Sequence, residues 1–381
     1  MRESSKTVDS QFKILRLPQL YKYLVQIFCI RTQFIFIKNN FSELITKKSI
    51  PPVNLFTDSV CYIKNRIKKM KAIRIHAYGS FEQLRYENVD LPEAGNNQLL
   101  VKVLATSVNH LEIKKASGTM KEMMPLDFPW VPGFDFSGIV ENTGANVHGF
   151  AKGDLVYGNC MGGSYAEYLV ADLDKVSMMP DILSFAEAAS VPHVGETAWQ
   201  ALFKHGNLKA GQTVLIHGAA GAVGMFAVQF AREAGANILT TVADKDLKYI
   251  KLLGANEAID YKTQDFSKIY QDVDLVILLI GGDTEERSYK VLKPGGRLVS
   301  TVGVSHPEKA KEKNVNAIPM VIEQSAEDLN KITDLIISGK VRTDIGRLYP
   351  LQEAAEGWKT ILGDPSVPRL NHGKVILEIN S

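Results

Sequence analysis

The stretch that decides the fold is VLIHGAAGAVGMFAVQFAREAGA, residues 214–236. A short apolar segment at 213–217 runs into a glycine-rich turn, and a helical pattern follows over 222–234 until Gly235 ends it. In this order of strand, turn and helix, the first backbone N–H groups of the helix face the turn with the positive end of the helix dipole behind them. The sequence therefore predicts an anion-binding turn at this point.

The glycines of this turn indicate which anion it binds. Gly221 lets the backbone approach a pyrophosphate closely, and Gly224 lets the helix pack tightly on the strand. The pattern departs from a simple G-x-G-x-x-G, because Ala219 stands at the first glycine and Gly218 precedes it. The candidate dinucleotide contacts are Gly218, Ala219, Gly221, Ala222, Val223 and Gly224. A tight strand–helix turn without a ligand is the alternative interpretation.

The pattern on either side of this turn predicts the fold class. After it, short apolar strands alternate with helices, which is typical of a parallel, doubly wound sheet. The run DLVILLI at 274–280 is apolar throughout, as expected of a strand buried on both faces. Before it, short strands separated by glycine-rich turns between 71 and 171 indicate a smaller, β-rich domain. The expected fold is α/β.

Composition and charge exclude several classes of protein. Hydrophobic residues make up 45% of the 381 residues and charged residues 23%, as in ordinary globular proteins. Only three cysteines occur, too few for a disulfide scaffold or a cysteine-rich metal module. Residues 70–381 carry 31 basic and 38 acidic side chains, and this acidic balance argues against a nucleic-acid partner.

The first 69 residues differ from the rest. They contain 13 Lys+Arg against 4 Asp+Glu, and neither Gly nor Ala. Their apolar run at 23–37 is interrupted by Arg31 and is too short to span a membrane. We expect residues 1–69 to lie outside the fold, with the true start at Met70; a mitochondrial targeting segment and a small added arm are the alternatives. The single cysteine of the body, Cys160, suits a reducing compartment, so we expect a cytoplasmic protein without membrane contacts.

The end of the second strand of the doubly wound sheet selects the cofactor. Proteins that bind NAD place Asp or Glu there to hold the ribose 2′-hydroxyl. We assign this position to Thr241, which is neutral, while Lys245 follows and Tyr261 comes after the third strand. A cation suits a 2′-phosphate, so these residues predict NADPH. Asp244 argues the other way unless it caps the helix at 246–253.

Further segments carry a family resemblance. They are SVNHLEIKKASG (107–118), VPGFDFSGIV (131–140), KGDLVYG (152–158), GSYAEYLV (163–170), LLGANEAIDY (252–261), LKPGGRLVSTVG (292–303) and GKVILEI (373–379). Together with the glycine-rich turn, they resemble the zinc-free quinone oxidoreductase and enone reductase branch of the medium-chain dehydrogenase/reductase superfamily. The resemblance implies a GroES-like substrate domain at 70–192, a Rossmann domain at 193–324, a C-terminal return to the first domain at 325–381, and a homodimer.

The resemblance allows the zinc sites of related alcohol dehydrogenases to be checked residue by residue. The first catalytic ligand is replaced by Asn109 and the second by Phe134, and the third region holds His193 and Glu196 but no cysteine. A structural zinc needs four neighbouring cysteines, and only Cys160 is present. We therefore expect no metal at either site.

Without zinc, no Lewis acid polarises the substrate. Hydride transfer then suits an acceptor that is already electrophilic by conjugation, a quinone or an α,β-unsaturated carbonyl. The family and the strand-end position place Thr197, Val302 and Gly303 beside the nicotinamide. Asn109 and Tyr165 are the candidate catalytic polar groups, although Asn109 serves equally well as a buried amide that holds the strand end.

The sequence thus predicts an NADPH-dependent reductase that acts on small molecules. One alternative is an enoyl-thioester reductase, for which Lys114, Lys115 and Lys121 would supply a basic patch. The other is an NADPH-binding sensor without turnover. In many quinone reductases a tyrosine follows the Ser-Gly pair of the first domain, and its absence after Ser117-Gly118 leaves that alternative open.

Overall fold

The structure, a computed structural model, describes residues 69–379. It begins with an antiparallel pair, β1 (Lys69–Arg74) and β2 (Arg85–Asp90). Lys69 pairs with Asp90 in this ladder, so β1 begins one residue before the expected start of the fold at Met70, and the domain boundaries stay predictions. The rest of the expected extension, residues 1–68, lies outside the described residues.

A seven-stranded, largely antiparallel sheet forms the first half of the body, and its order is β14-β15-β3-β4-β5-β7 with β6 also paired to β3. Its strands are β3 (Gln98–Ser107), β4 (Asp135–Thr143), β5 (Leu155–Asn159), β6 (Tyr168–Asp172), β7 (Val176–Met178), β14 (Ile345–Pro350) and β15 (Lys374–Glu378). The GroES-like sheet domain expected from the family is therefore confirmed.

A six-stranded sheet forms the second half, and every neighbouring pair in it is parallel. Its strands are β8 (Thr213–His217), β9 (Asn237–Val242), β10 (Glu257–Asp260), β11 (Val273–Leu278), β12 (Leu292–Ser300) and β13 (Asn316–Pro319). The order β10-β9-β8-β11-β12-β13 is that of a doubly wound dinucleotide-binding sheet, as predicted. Ligands of such sheets bind at the carboxyl ends of the strands, where the order reverses.

Ten α-helices connect and cover the strands within residues 69–379. They are α1 (His110–Ala116), α2 (Phe185–Ala189), α3 (Pro192–Trp199), α4 (Ala222–Glu233), α5 (Leu247–Leu253), α6 (Phe266–Ile269), α7 (Thr284–Tyr289), α8 (Pro307–Glu312), α9 (Ala326–Ile337) and α10 (Ala354–Leu362). None of these helices combines the length and the apolar character that crossing a bilayer requires.

The chain returns to the first sheet after the second is complete. β15 pairs antiparallel with β3, and Ile376 lies opposite Ser107. This register brings Lys374 beside the residues that follow β3, more than 250 positions earlier in the chain. The contact positions a charged side chain inside the region where the two sheets meet.

Substitution of Gly224 tests the helix–strand contact. A Cβ at this position would stand 2.5 Å from the Ala219 Cα and from the Gly218 carbonyl oxygen, and backbone atoms cannot move aside. We expect Gly224→Ala to lower the free energy of unfolding by about 1–3 kcal/mol in chemical denaturation. Gly281→Ala is the matched control, because nothing lies within 4 Å of its added Cβ. Equal stability of the two variants would contradict the tight contact.

Candidate active site

The glycine-rich turn has the form that a pyrophosphate requires. Strand β8 ends at His217, and Gly218 then adopts a φ of +73°, a conformation that side chains rarely tolerate. A Cβ at Gly221 would project to 3.3 Å from the Gly218 carbonyl oxygen, into the hollow of the turn. No side chain caps the start of α4, so its first N–H groups are available to an anion. The residues therefore fit a dinucleotide.

Thr241 does not take the position predicted for it. Its side chain is buried, and a 2.9 Å hydrogen bond joins its hydroxyl to Nδ1 of His217. His217 Nε2 is bonded in turn to Ser288, and burial lowers the pKa of His217 to about 3, so the ring is neutral. The Thr241 hydroxyl is therefore engaged inside the protein, and its contact with a ribose stays a prediction. The first residue beyond β9 is Ala243, which carries no carboxylate.

Lys245 and Tyr261 are both exposed beyond neighbouring strand ends. Lys245 follows β9 and Tyr261 follows β10, and 54% of Tyr261 is exposed. Within residues 69–379, Lys245 makes no ion pair. The nearby Asp246 accepts a 2.9 Å hydrogen bond from His372, whereas Asp244 is exposed and caps no helix. Lys245 and the Tyr261 phenol are thus exposed beyond the ends of β9 and β10, where the sequence predicts the adenosine ribose.

The residues assigned to the nicotinamide occupy two environments. Val302 and Gly303 follow β12; Val302 is exposed, and Gly303 has a φ of +92° with open space around it. Thr197 lies on α3, is nearly buried, and donates a 2.6 Å hydrogen bond to the His193 carbonyl. The structure therefore leaves the strand end open to a ligand, while the Thr197 hydroxyl already has an acceptor.

A buried carboxylate, Asp135 at the start of β4, organises the polar groups between the two sheets. It accepts hydrogen bonds from the Ser107 hydroxyl, from Asn109 Nδ2 at 2.8 Å and from the His193 backbone N–H at 2.6 Å. The ammonium of Lys374 lies 3.8 Å from it. These partners come from β3, α3 and β15, so one side chain ties three parts of the chain together.

Asn109 belongs to this network. Its Oδ1 accepts a 2.5 Å hydrogen bond from Lys374, and its two amide N–H groups point to Asp135 and, at 3.4 Å, to the Ser107 hydroxyl. Its amide therefore has no donor left for a substrate. The contacts favour the second of its two interpretations, the buried amide that holds the end of a strand.

Tyr165 is also internal. Its ring is fully buried, and its hydroxyl donates to Glu112 at 3.1 Å and accepts from the Trp358 indole at 3.2 Å. Burial raises its pKa well above the usual range for tyrosine, and the neighbouring Glu112 adds to the shift. Both hydrogen bonds of this hydroxyl are made inside the protein, which favours a structural role, and the catalytic role of Tyr165 stays a prediction.

The donor set at the expected zinc positions is poor. The Asn109 oxygen is bonded to Lys374, Phe134 offers no donor, and His193 stacks on Phe134 with ring centroids 5.8 Å apart. Glu196 is bonded to Asn159 instead, and burial raises its pKa to about 9, so it is neutral. Within the described residues, no three His, Cys, Asp or Glu side chains group as metal ligands would. These residues do not fit a zinc ion.

Sequence reasoning missed the partners that occupy Asn109 and Tyr165. Lys374 stands in the segment GKVILEI and Asp135 in VPGFDFSGIV, both quoted for their family pattern and not for their charge. A signal was present, since each charge directly precedes apolar residues at the start of a strand, and a charge in such a position is buried only with a partner. Glu112, which accepts from the Asn109 backbone N–H, gave no such signal because it lies on a short helix.

Two family models match the chain. The alcohol dehydrogenase GroES-like domain matches residues 95–181, and the zinc-binding dehydrogenase domain matches residues 253–363. Quinone oxidoreductase of Mus musculus is 32% identical over 77% of this chain and 95% of its own length. The chain belongs to the quinone oxidoreductase branch of the medium-chain dehydrogenase/reductase superfamily. Members of this superfamily are oxidoreductases, and the Rossmann sheet implies a nicotinamide cofactor.

Other members of the superfamily agree with this assignment. The 2-methylene-furan-3-one reductase of Solanum lycopersicum is 34% identical over 72% of this chain and 71% of its own length. The solved structure of the quinone oxidoreductase from Coxiella burnetii is 33% identical, with a TM-score of 0.74 over 82% of this chain and 100% of that one. Both kinds of relative act on conjugated carbonyl compounds by name.

A tyrosine substitution separates structural from catalytic roles in this oxidoreductase. Tyr165→Phe removes the hydroxyl, which leaves the buried Trp358 N–H without its acceptor and takes from Glu112 one of its two donors. We expect the free energy of unfolding to fall by about 1–3 kcal/mol. We expect kcat, measured at a temperature where both proteins are folded, to stay within about twofold. A large loss of kcat at unchanged stability would restore Tyr165 as a catalytic group.

Proposed function

We propose that this oxidoreductase reduces quinones or α,β-unsaturated carbonyl compounds with NADPH and without zinc. The observation that carries the proposal is the arrangement at the expected zinc positions. Asn109 is held by Lys374 and Asp135, and Phe134 replaces a ligand with an apolar ring. Lewis-acid activation of an alcohol or simple carbonyl needs a metal ligand set, which these side chains do not provide. A conjugated acceptor needs no such activation.

In this proposal the residues of the chain bind the cofactor and orient the acceptor. A bound reduced nicotinamide supplies hydride. The N–H groups at the start of α4 hold the pyrophosphate, and the open backbone at Gly303 and the exposed Val302 border the nicotinamide. Asp135 fixes the segments that carry Asn109 and His193, so the floor of the site keeps its geometry during the reaction.

The preference for NADPH rests on the ends of β9 and β10. Ala243 offers no carboxylate for a ribose 2′-hydroxyl, and the exposed Lys245 has no ion pair within the described residues. A 2′-phosphate there gains a charge-assisted hydrogen bond, and Tyr261 can add a second donor. Asp244 is the one neighbouring group that opposes the phosphate. The cytoplasmic location and the homodimer remain predictions of the sequence alone.

A panel of acceptors tests the reaction class. NADPH oxidation by the full chain is followed with quinones, enones, enoyl thioesters and simple aldehydes, and with NADH in parallel. We expect turnover with quinones or enones, since conjugation makes these acceptors electrophilic without the Lewis-acid activation that a metal supplies. Preferential turnover of thioesters would establish the enoyl-thioester alternative. Tight NADPH binding without turnover of any acceptor would establish the sensor and sink the proposal.

Substitution of Lys245 tests the cofactor. We expect Lys245→Ala to weaken NADPH binding by about tenfold or more, the value of a lost charge-assisted hydrogen bond, and to leave NADH binding nearly unchanged. Quenching of the bound dinucleotide's fluorescence measures both affinities. Lys251→Ala on α5 is the control, because it removes an equally exposed lysine. Equal losses for the two cofactors would contradict the assignment.

A further inference from the structure

Lys115 is a mostly buried charged side chain that takes no part in the hydrogen bonds around Asp135. It lies on α1, and only 6% of the residue is exposed. Within residues 69–379, its ammonium forms no hydrogen bond and no ion pair. Most of the side chain is buried, but Nζ keeps some accessible surface, so a ligand can reach the ammonium. Its burial also removes Lys115 from the basic patch considered above for a thioester carrier.

Two aromatic rings hold this ammonium. Its Nζ lies 5.3 Å from the ring centroid of Trp130 and 5.4 Å from that of Phe134, within the range of cation–π attraction. The rings are 6.4 Å apart and tilted. They offer no hydrogen-bond acceptor to the ammonium, so its N–H groups remain available to a third group.

The nearest carboxyl group does not neutralise Lys115. Glu112 lies one helical turn earlier, but its Oε1 is taken by the Asn109 backbone N–H and the Tyr165 hydroxyl. Burial raises the pKa of Glu112, which favours its neutral form, and lowers the pKa of Lys115. Glu112 is therefore only a weak counter-charge, because its raising effect on the pKa of Lys115 is smaller than the lowering effect of burial.

The aromatic pair connects Lys115 to the cofactor side of the molecule. Phe134 stacks on His193, whose carbonyl accepts from Thr197. On the other side, Trp130 touches the turn at Gly162, where an added Cβ would meet its indole nitrogen at 2.6 Å, and the adjoining Met161 is exposed. Lys115 thus stands in an aromatic setting that is linked through Phe134 and His193 to Thr197, one of the residues predicted to contact the nicotinamide.

We propose that Lys115 is a catalytic residue whose ammonium donates a hydrogen bond to the carbonyl oxygen of the conjugated acceptor. The inference rests on the proposed function. As hydride forms the new C–H bond at the β-carbon of an enone, the C=C π pair becomes the double bond between the α-carbon and the carbonyl carbon, and the C=O π pair becomes negative charge on the oxygen. The Lys115 N–H stabilises this enolate, and solvent supplies the proton that completes the saturated ketone. A quinone places the same charge on a hydroquinone oxygen.

Binding of a stable anion tests the contact without turnover. 4-Nitrophenol resembles the enolate in charge and shape, and its absorbance distinguishes bound phenolate from phenol. It is titrated into the full-length wild type, Lys115→Met and Lys115→Arg. We expect Lys115→Met to weaken phenolate binding by about tenfold or more and Lys115→Arg to recover part of it. Lys152→Met is the control, because this lysine is exposed and paired with Glu141.

Turnover of the best acceptor is measured on the same proteins. We expect Lys115→Met to lower kcat/KM by about tenfold or more, with partial rescue in Lys115→Arg and no change in Lys152→Met. Thermal melts identify any variant that fails to fold. If Lys115→Met does not fold, the comparison of Lys115→Arg with the wild type tests the contact.

The outcomes separate the two proposals. If the wild type binds no phenolate, or if Lys115→Met binds it as tightly as the wild type, the role of Lys115 is overturned whatever the turnover. Normal turnover in Lys115→Met also overturns it and leaves the reductase standing. If Lys115→Met loses phenolate binding while the wild type reduces no acceptor, the oxyanion contact is supported and the reductase proposal is overturned.

Discussion

The buried carboxylate of Asp135 is the constraint on which the site depends. It accepts from Ser107, Asn109 and the backbone N–H of His193, and the ammonium of Lys374 lies beside it. A buried pair of this kind is stable only with all its partners, because removing one leaves an uncompensated charge. These contacts therefore fix the GroES-like sheet, helix α3 and the C-terminal strand β15 relative to one another.

This network changes the chemistry open to the site. The residues at the expected zinc positions are absorbed into structure, since Asn109 bridges Asp135 and Lys374 and Phe134 stacks on His193. Within the described residues the Asn109 amide is fully hydrogen-bonded, whereas the buried His193 Nδ1 and Glu196 Oε1 have no partner. We assign polarisation of the acceptor to Lys115, which takes no part in the Asp135 network and whose ammonium has no hydrogen-bond acceptor within residues 69–379.

The sequence predicted local structural patterns well and the contacts of single side chains less well. The glycine-rich turn at 218–224 was predicted because its strand, turn and helix are neighbours in the chain. Thr241 and Tyr165 were assigned to ligands because they are polar and lie near strand ends. In the structure their hydroxyls bond His217 and Glu112, partners that no spacing rule identifies. A hydroxyl near the end of a strand bonds either a ligand or a buried neighbour, and the direction in which the side chain points determines which of the two it bonds.

The sequence by itself determined the α/β class, the dinucleotide-binding turn and the quinone oxidoreductase branch, since these depend on residues close together in the chain. Only the tertiary structure decided which polar groups remain for chemistry. The bond from Lys374 to Asn109 spans 265 positions and exists because β15 pairs with β3 in one particular register. A shift of one residue would turn Lys374 to the opposite face of the sheet. The pairing register of strands that are distant in the chain therefore determines which polar groups remain available, and the local sequence pattern does not show it.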